Sequence, residues 1–240
     1  MPYRLFDLQQ AAEYLHLARE DIERLVKERE IPFEKRGNRF VFRKVEMDAW
    51  ASERILKLQG GRLVEYHAKS SKAAATFLPH QPMMEDMIEP SFVEPGLPAK
   101  TKASAIREMV SLACRTGRVA DVRGLLESVQ AREELCSTGM PGGLALLHPR
   151  QPDPVLIEQP FVAVGRTPVP VPFGAPDGLP TDLFFLLGCP DDRLHLHTLA
   201  RLCMMTQKTD LLQRLRQVTT CDEMREQLVQ AEAVVLALMP

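Results

Sequence analysis

The stretch from residue 132 to residue 148 reads Arg132-Glu133-Glu134-Leu135-Cys136-Ser137-Thr138-Gly139-Met140-Pro141-Gly142-Gly143-Leu144-Ala145-Leu146-Leu147-His148. A charged segment leads into a loop of small residues, and a short apolar run then carries the chain to one histidine. The three glycines permit backbone conformations that a side chain would forbid, so the loop can turn tightly and present its amide groups to an anion. We therefore predict an anion-binding site beside His148.

The chain on both sides of this stretch alternates between helical and extended patterns. Apolar residues spaced three and four apart predict helices, with Val122 on the inner face of one of them, and short apolar runs predict strands. The segment 87–93 contains Pro90, which restricts it to an edge strand. The predicted helices cover residues 101–116, 120–132, 191–205, 209–216 and 221–230, and the predicted strands cover residues 143–148, 155–164 and 182–188. Strands interleaved with helices indicate an α/β domain.

The stretch 132–148 resembles the phosphorylation-site segment of the fructose/mannitol-type enzyme IIA domains of the bacterial phosphotransferase system. In that family an Arg-Glu pair, a Ser-Thr-Gly triplet and a glycine-rich turn precede the phosphoacceptor histidine. The similarity continues through residues 169–187 to residues 190–202, where the family carries a second histidine at the start of a helix. The resemblance implies an enzyme IIA-like α/β domain over residues 86–240, with a mixed sheet and helices on both faces.

The same resemblance implies roles for particular residues. His148 would be the nucleophile and phosphoryl carrier, His195 would orient the phosphoryl group, and Arg132 would neutralise its charge. Further phosphate donors would be Ser137, Thr138 and Gly139. A carrier histidine has to be neutral, with one ring nitrogen held by a hydrogen bond so that the other can attack phosphorus. The implied donor is the phosphocarrier protein HPr or a homologue, and no cofactor is expected.

The sequence departs from the family pattern next to the histidine. The family generally has proline before it and a small residue after it, whereas here Leu147 precedes His148 and Pro149 follows it. Pro149 restricts the backbone of His148 and removes an amide donor. A histidine that only satisfies its own backbone at a strand end is therefore an alternative. Metal binding by His148, His195 and His197 is not expected, because no cysteine or carboxylate follows at ligand spacing.

The first 58 residues show a different pattern. Apolar spacing predicts an amphipathic helix capped by Asp7, and alternating residues around Gly37-Asn38 predict a β-hairpin. The predicted elements are helices 8–15 and 19–29, the second ended by Pro32, the hairpin 33–43 and a helix over 45–58. This succession resembles the excisionase/MerR-type winged helix-turn-helix over about residues 4–56. We therefore predict a small, mainly α, winged helix-turn-helix domain over residues 1–58.

The resemblance implies that this domain binds DNA, with its second helix in the major groove and its hairpin along the phosphates. The candidate DNA-binding residues are basic and are Arg19, Arg24, Lys35, Arg36, Arg39 and Arg43. The second helix also carries Glu20, Asp21 and Glu23, which phosphates repel. A protein-contact module is thus an alternative, as is a hairpin whose charges only protect an edge strand from aggregation.

Residues 59–85 are predicted to be a linker or a helical extension. The segment is small, polar and punctuated by Pro79 and Pro82, which favours a linker. Leu63, Val64 and Tyr66 offer an apolar side, and a helix carrying them would be a contact for a homodimer.

Composition and charge indicate which partners and which cellular compartment suit the protein. The 240 residues carry a net charge of −2, with a net +3 in residues 1–72 and −5 in the remainder, so only the N-terminal part suits a polyanion. The five cysteines lack CxxC spacing, which favours reduced thiols. No apolar run has the length of a membrane span, and the first residues lack a signal-peptide layout, so we predict a cytoplasmic protein.

These observations together predict a DNA-binding regulator controlled by reversible histidine phosphorylation. A phosphotransferase-system component that passes the phosphoryl group to a separate permease is one alternative. An inactive enzyme IIA-like sensing or interaction protein is the other.

Overall fold

The computed structural model describes residues 5–75 and 83–238. Within residues 5–58 the chain forms three helices and a three-stranded sheet with the order β1-β3-β2. The elements are β1 (Leu5–Phe6), α1 (Leu8–Leu15), α2 (Arg19–Glu28), β2 (Glu34–Arg36), β3 (Arg39–Arg43) and α3 (Lys44–Lys57). The helical and hairpin pattern of the sequence is confirmed here.

Local chemistry explains where these elements begin and end. Asp7 caps α1 by a reciprocal capping box with Gln10. Gly37 takes a φ of +61° in the hairpin turn, which suits glycine. The prediction that Pro32 ends the second helix is wrong, because the helix already ends at Glu28, where Arg29 adopts the left-handed conformation with a φ of 57°.

The described residues from 83 onward form an α/β domain. The elements are α5 (Met84–Met87), a 3-10 turn (Pro90–Phe92), β4 (Val93–Glu94), α6 (Lys102–Cys114), α7 (Val122–Leu135), β5 (Gly139–Met140), β6 (Leu144–Leu147), β7 (Phe161–Val171), β8 (Thr181–Gly188), α8 (Asp192–Lys208), α9 (Leu211–Gln217) and α10 (Cys221–Ala237). Within these residues the sheet has five strands in the order β4-β7-β8-β6-β5. The pairs β4–β7 and β6–β8 are parallel and the other two are antiparallel.

Both faces of this sheet are covered. Leu144 and Leu146 of β6 belong to the core on the side of α8 and α10, whereas Ala145 and Leu147 belong to the core on the side of α6 and α7. This alternation is the period of two that a strand imposes. The predicted mixed sheet with helices on both faces is confirmed.

Three details of the sequence prediction are wrong. Most of the edge strand predicted over residues 87–93 is helical, because Met87 ends α5 and Pro90–Phe92 form a 3-10 turn, and only Val93 lies in the edge strand β4. The strand predicted over 155–164 is β7 and begins at Phe161. Val122 lies on the surface with 49% of its area exposed, because it is the first residue of α7, where the helix has only begun to pack.

The segment predicted as a linker contains a packed helix, α4 (Gly60–Ala74). Leu63 and Tyr66 are buried, and α4 packs against α8 of the same chain. The linker interpretation is therefore wrong for residues 60–74, and the apolar side proposed for a dimer contact is used within the chain. The remaining residues 76–82 lie outside the described residues. In the described part of the chain, no helix combines the length and apolar character needed to span a membrane.

Buried polar contacts fix α4, α8 and α10 to each other. Arg201 Nη1 lies 2.7 Å from Glu232 Oε1, and both side chains are almost fully buried. Arg201 Nε donates to His67 Nε2 at 2.6 Å, and Ser70 contacts His197 Nδ1 at 3.0 Å. The Glu232 carboxylate also accepts two backbone amide hydrogen bonds, from Met83 and Met84. A buried charge is tolerated only when it is compensated in this way.

We expect Glu232→Ala to lower the free energy of unfolding by about 3–5 kcal/mol, because it leaves the Arg201 charge buried with less compensation. Urea unfolding followed by circular dichroism measures the change. Glu226→Ala, an exposed substitution on the same helix, should change stability by less than about 0.5 kcal/mol. Equal effects of the two variants would contradict the buried ion pair.

Candidate functional site

Parallel strand pairing brings the predicted catalytic residues together. Strands β6 and β8 run parallel, so their carboxyl ends lie at the same edge of the sheet. His148 follows the end of β6, and α8 begins shortly after the end of β8 with His195 in its first turns. Arg132 comes from the last turn of α7. The three side chains predicted to share one site are thus neighbours in space.

The hydrogen bonds of His148 define which ring nitrogen carries the proton. Arg132 Nε donates to His148 Nε2 at 3.0 Å, and His148 Nδ1 lies 2.9 Å from the backbone oxygen of Leu146. A guanidinium has only donors, so Nε2 must be the acceptor and Nδ1 must carry the proton. The imidazole is therefore neutral, and its lone pair lies on Nε2 in contact with a cation.

His195 forms the second wall of the site. Its ring centroid lies 5.1 Å from that of His148, and its Nε2 lies 3.3 Å from Ser52 Oγ. His197 is two positions further along α8 and therefore faces elsewhere. Its ring stacks on His67 at 5.6 Å and contacts Ser70. The structure thus distinguishes the two histidines that the sequence left ambiguous.

The site is buried and keeps its histidines neutral. The exposed fractions are 2% for Arg132, 1% for His148 and 3% for His195. Burial, followed by the nearby Arg132 charge, holds the pKa of His148 well below its usual range. The same two causes lower the pKa of His195 to about 3. Both rings are therefore neutral near pH 7, with a single ring proton each.

Two polar atoms of the site have no hydrogen-bond partner among the described residues. They are Arg132 Nη2 and His195 Nδ1. A buried polar atom without a partner is costly, and such atoms often mark a site that is satisfied only when a ligand binds. One atom belongs to a cation and the other is a ring nitrogen that can donate, so together they suit an anion.

The donors of the Ser-Thr-Gly segment are engaged within the chain. The backbone amide and hydroxyl of Thr138 donate to the Glu133 carboxylate, at 3.0 and 2.6 Å. The Ser137 hydroxyl donates to the Phe173 backbone oxygen at 2.8 Å and accepts from the Gly139 amide. These contacts shape the loop before β6. A role of the three residues in holding phosphate would require these bonds to change, and it stays a prediction.

The predicted DNA-binding residues divide into two groups. Four form local ion pairs: Arg19 with Glu23, Arg24 with Asp21, and both Arg36 and Arg43 with Glu34. Lys35 and Arg39 form no ion pair with another described residue. An open groove of about 1300 Å³ runs between α2 and the hairpin, and its charged lining residues are Arg19, Lys27, Arg29, Lys35, Arg39, Asp7 and Glu23.

Sequence reasoning missed one residue of the site, Ser52. It lies on α3 of the N-terminal domain, is 4% exposed, and reaches His195 from 143 positions away in the chain. Nothing in its local sequence signals this role. Only the docking of α3 against α8 places it there.

Comparison with known proteins identifies the C-terminal domain. Residues 86–231 match the family described as phosphoenolpyruvate-dependent sugar phosphotransferase system, EIIA 2. The match covers more than half of the chain. The chain belongs to this EIIA family. Residues 5–55 match a helix-turn-helix domain.

Several relatives of the EIIA domain are nitrogen regulatory proteins. The one from Pseudomonas aeruginosa is 29% identical over 151 residues, which cover 62% of this chain and 96% of the relative. The nitrogen regulatory protein IIA-Ntr from Neisseria meningitidis, known from a crystal structure, is 31% identical in sequence. The superposition covers 60% of this chain and 97% of the Neisseria chain, with a TM-score of 0.53. The mannitol IIA of Escherichia coli shares the fold at 21% identity, with a TM-score of 0.52.

The lowered pKa of His195 makes stability fall in acid. An unfolded imidazole has a pKa near 6.5, so below that pH the unfolded state binds a proton that the folded state rejects. We expect His195→Gln to remove this effect. Between about pH 5.5 and 4.5, the free energy of unfolding of the variant should therefore fall less steeply than that of the unsubstituted protein, and the two slopes should differ by about 1.4 kcal/mol per pH unit. Urea unfolding across this range measures both slopes.

The control is Leu202→Ala, a buried change on the same helix that removes no titrating group. It should lower the whole curve without changing its slope. Parallel curves for His195→Gln and the unsubstituted protein would show that His195 is not held neutral by the fold.

Proposed function

We propose that this protein is a DNA-binding regulator whose EIIA domain is phosphorylated reversibly on His148 by HPr or a homologous phosphocarrier protein. The observation that carries the proposal is the hydrogen-bonded pair of Arg132 Nε and His148 Nε2, next to the unpartnered atoms Arg132 Nη2 and His195 Nδ1. The names of the nitrogen regulatory relatives support a regulatory role. The helix-turn-helix match supports DNA as the target.

The bond from Nδ1 to the Leu146 oxygen prepares His148 for transfer. It fixes the tautomer, so the lone pair of Nε2 is available to attack phosphorus. The phosphorus–nitrogen bond of the donor phosphohistidine breaks as the bond to Nε2 forms, and the donor ring nitrogen keeps the electron pair. Arg132 has to swing from Nε2 to the phosphoryl oxygens, where it neutralises their charge.

His195 would assist the transferred group. Its Nδ1, which has no partner among the described residues, can donate to a phosphoryl oxygen when it carries the ring proton. In the closed chain the Ser52 hydroxyl, by donating to Nε2, favours that tautomer. Removal of one donor to developing negative charge typically slows a reaction by about 10²-fold or more.

We expect His148→Gln to abolish phosphorylation and His195→Gln to slow it by about 10²-fold. The purified protein is incubated with phosphoenolpyruvate, enzyme I and HPr, and the added mass of the His148 peptide is followed with time. His197→Gln is the matched control, because it changes the same helix outside the site and should leave the rate of the folded protein within about twofold. Equal rates for His195→Gln and His197→Gln would remove His195 from the mechanism, and phosphorylation of His148→Gln would remove His148.

The N-terminal groove supports a polyanion as the second ligand. Five basic side chains line it against two acidic ones. Lys35 and Arg39 lie on the hairpin, where phosphate contacts are expected, and they form no ion pair with another described residue. The paired Arg19, Arg24, Arg36 and Arg43 would have to exchange a carboxylate for a phosphate.

We expect Arg39→Ala to weaken binding to random duplex DNA and to reduce the slope of log affinity against log salt by about 1. Fluorescence anisotropy at several salt concentrations measures both quantities. Arg123→Ala is the control, since Arg123 is exposed on α7 and paired with Glu127 in the other domain. A slope unchanged by Arg39→Ala, or lowered equally by the control, would contradict DNA binding through the groove.

The same measurements separate the other functions. Phosphorylation without DNA binding would favour a phosphotransferase component that passes the group onward, as the fructose-specific EIIABC relative of Bacillus subtilis suggests at 29% identity. DNA binding without phosphorylation would favour a sensing or interaction protein. The excisionase/MerR assignment, the cytoplasmic location and the homodimer stay predictions from the sequence.

A further inference from the structure

Helix α3 of the N-terminal domain closes the acceptor site. It packs against α8, and its Ser52 hydroxyl lies 3.3 Å from His195 Nε2. Ser52, His148 and His195 are each less than 5% exposed. A donor protein must bring its phosphorus within about 3–3.5 Å of His148 Nε2 before transfer. No protein surface can approach a ring that is 1% exposed.

Three polar contacts hold α3 and its end against α8, and we call them the α3–α8 latch. Lys44 Nζ lies 2.6 Å from Asp192 Oδ1, in the first turn of α8. Ser52 contacts His195, three residues further along that helix. Gln207 Nε2 donates to the backbone oxygen of Leu58 at 3.0 Å. The latch thus follows α8 from its beginning to its last turn.

Residues of both domains form the latch, and further buried contacts support it. Lys44 also pairs with the buried carboxylate of Asp48, which accepts a hydrogen bond from Tyr14. Apolar side chains of α1, α3 and α8 belong to one continuous core. The α3 position is therefore set by its own domain on one side and by the EIIA domain on the other.

The closed site offers a phosphoryl group donors but little room, because His148 and His195 are almost fully buried. Phosphorylation of a histidine adds bulk and negative charge, as other phosphorylations do. Asp48 and Asp192 both pair with Lys44 at the start of α3, and an added phosphoryl charge would compete with them for that cation. Movement of α3 would relieve the crowding and admit water to the phosphoryl oxygens.

We propose that α3 is an intrachain cover that competes with the phosphocarrier protein for the EIIA surface, so that phosphorylation of His148 and docking of the helix-turn-helix domain exclude each other. This inference rests on the proposed function and describes how phosphorylation of His148 is regulated. The chain has to open before transfer. The phosphorylated protein stays open, with the helix-turn-helix domain released from α8.

The closure is testable without any phosphorylation. Diethylpyrocarbonate modifies neutral imidazoles that solvent reaches, and mass spectrometry of the His148 peptide gives the rate in the full chain. Asp192→Asn removes the charge from the Lys44 contact while Lys44 keeps Asp48, and we expect the weaker contact to raise this rate by about fivefold. Ser52→Arg, which puts a second cation into a filled site, should raise it by about tenfold or more.

Asp222→Asn is the matched control, because it removes the same charge from the first turn of another helix, α10, at an exposed position. It should leave the rate unchanged. Phosphoryl transfer from HPr is then measured on the same proteins. The proposal expects both rates to rise in Asp192→Asn and Ser52→Arg and neither to rise in Asp222→Asn.

The remaining outcomes separate the two proposals. If diethylpyrocarbonate modification rises but no variant is phosphorylated, the cover stands and the phosphoacceptor function fails. If all variants are phosphorylated and modified at the rate of the unsubstituted protein, the function stands and the cover is overturned. A rise in Asp222→Asn equal to that in Asp192→Asn would also overturn the cover.

Discussion

The parallel pairing of β6 with β8 is the constraint on which the site depends. It fixes the carboxyl ends of two strands at one edge of the sheet, so the residue after β6 and the helix after β8 must meet there. Buried side chains on both faces of these strands hold this register, since a slip of one residue would exchange the two cores. His148 and His195 are neighbours for that reason.

The electrostatic character of the site follows from this packing. A charged guanidinium beside a buried imidazole selects the neutral form and one tautomer of His148. For the phosphoryl transfer that we propose, Nε2 would therefore need no separate base, and it lies beside two polar atoms that have no hydrogen-bond partner among the described residues. The same burial keeps His148 almost fully covered, so in the proposed function the closed chain would hold the ring ready for transfer and at the same time keep a donor protein away from it.

Much of this arrangement could be predicted from the sequence, because short-range patterns specify it. Short apolar runs within residues 143–148 and 182–188 predict the central strands, and the glycine loop points to His148 as a site residue. The ambiguity between His195 and His197 is resolved by helix geometry, which sends residues two apart to different faces. The position of Ser52 and the packing of α4 against α8 could not be predicted, although a helix is one of the two predictions for residues 59–85. The partners of Ser52 and α4 are polar groups far away in the chain, and a stretch with Ser70 and His67 looks like a linker until α8 supplies those partners.

The central claim is that Nε2 of His148 accepts the phosphoryl group while Nδ1 keeps its proton. Long-range proton–nitrogen NMR of ¹⁵N-labelled protein, recorded after incubation with phosphoenolpyruvate, enzyme I and HPr, tests it directly. We expect phosphorus on Nε2 of His148 and a proton on Nδ1. Phosphorus on Nδ1, on another side chain or on no residue would contradict it.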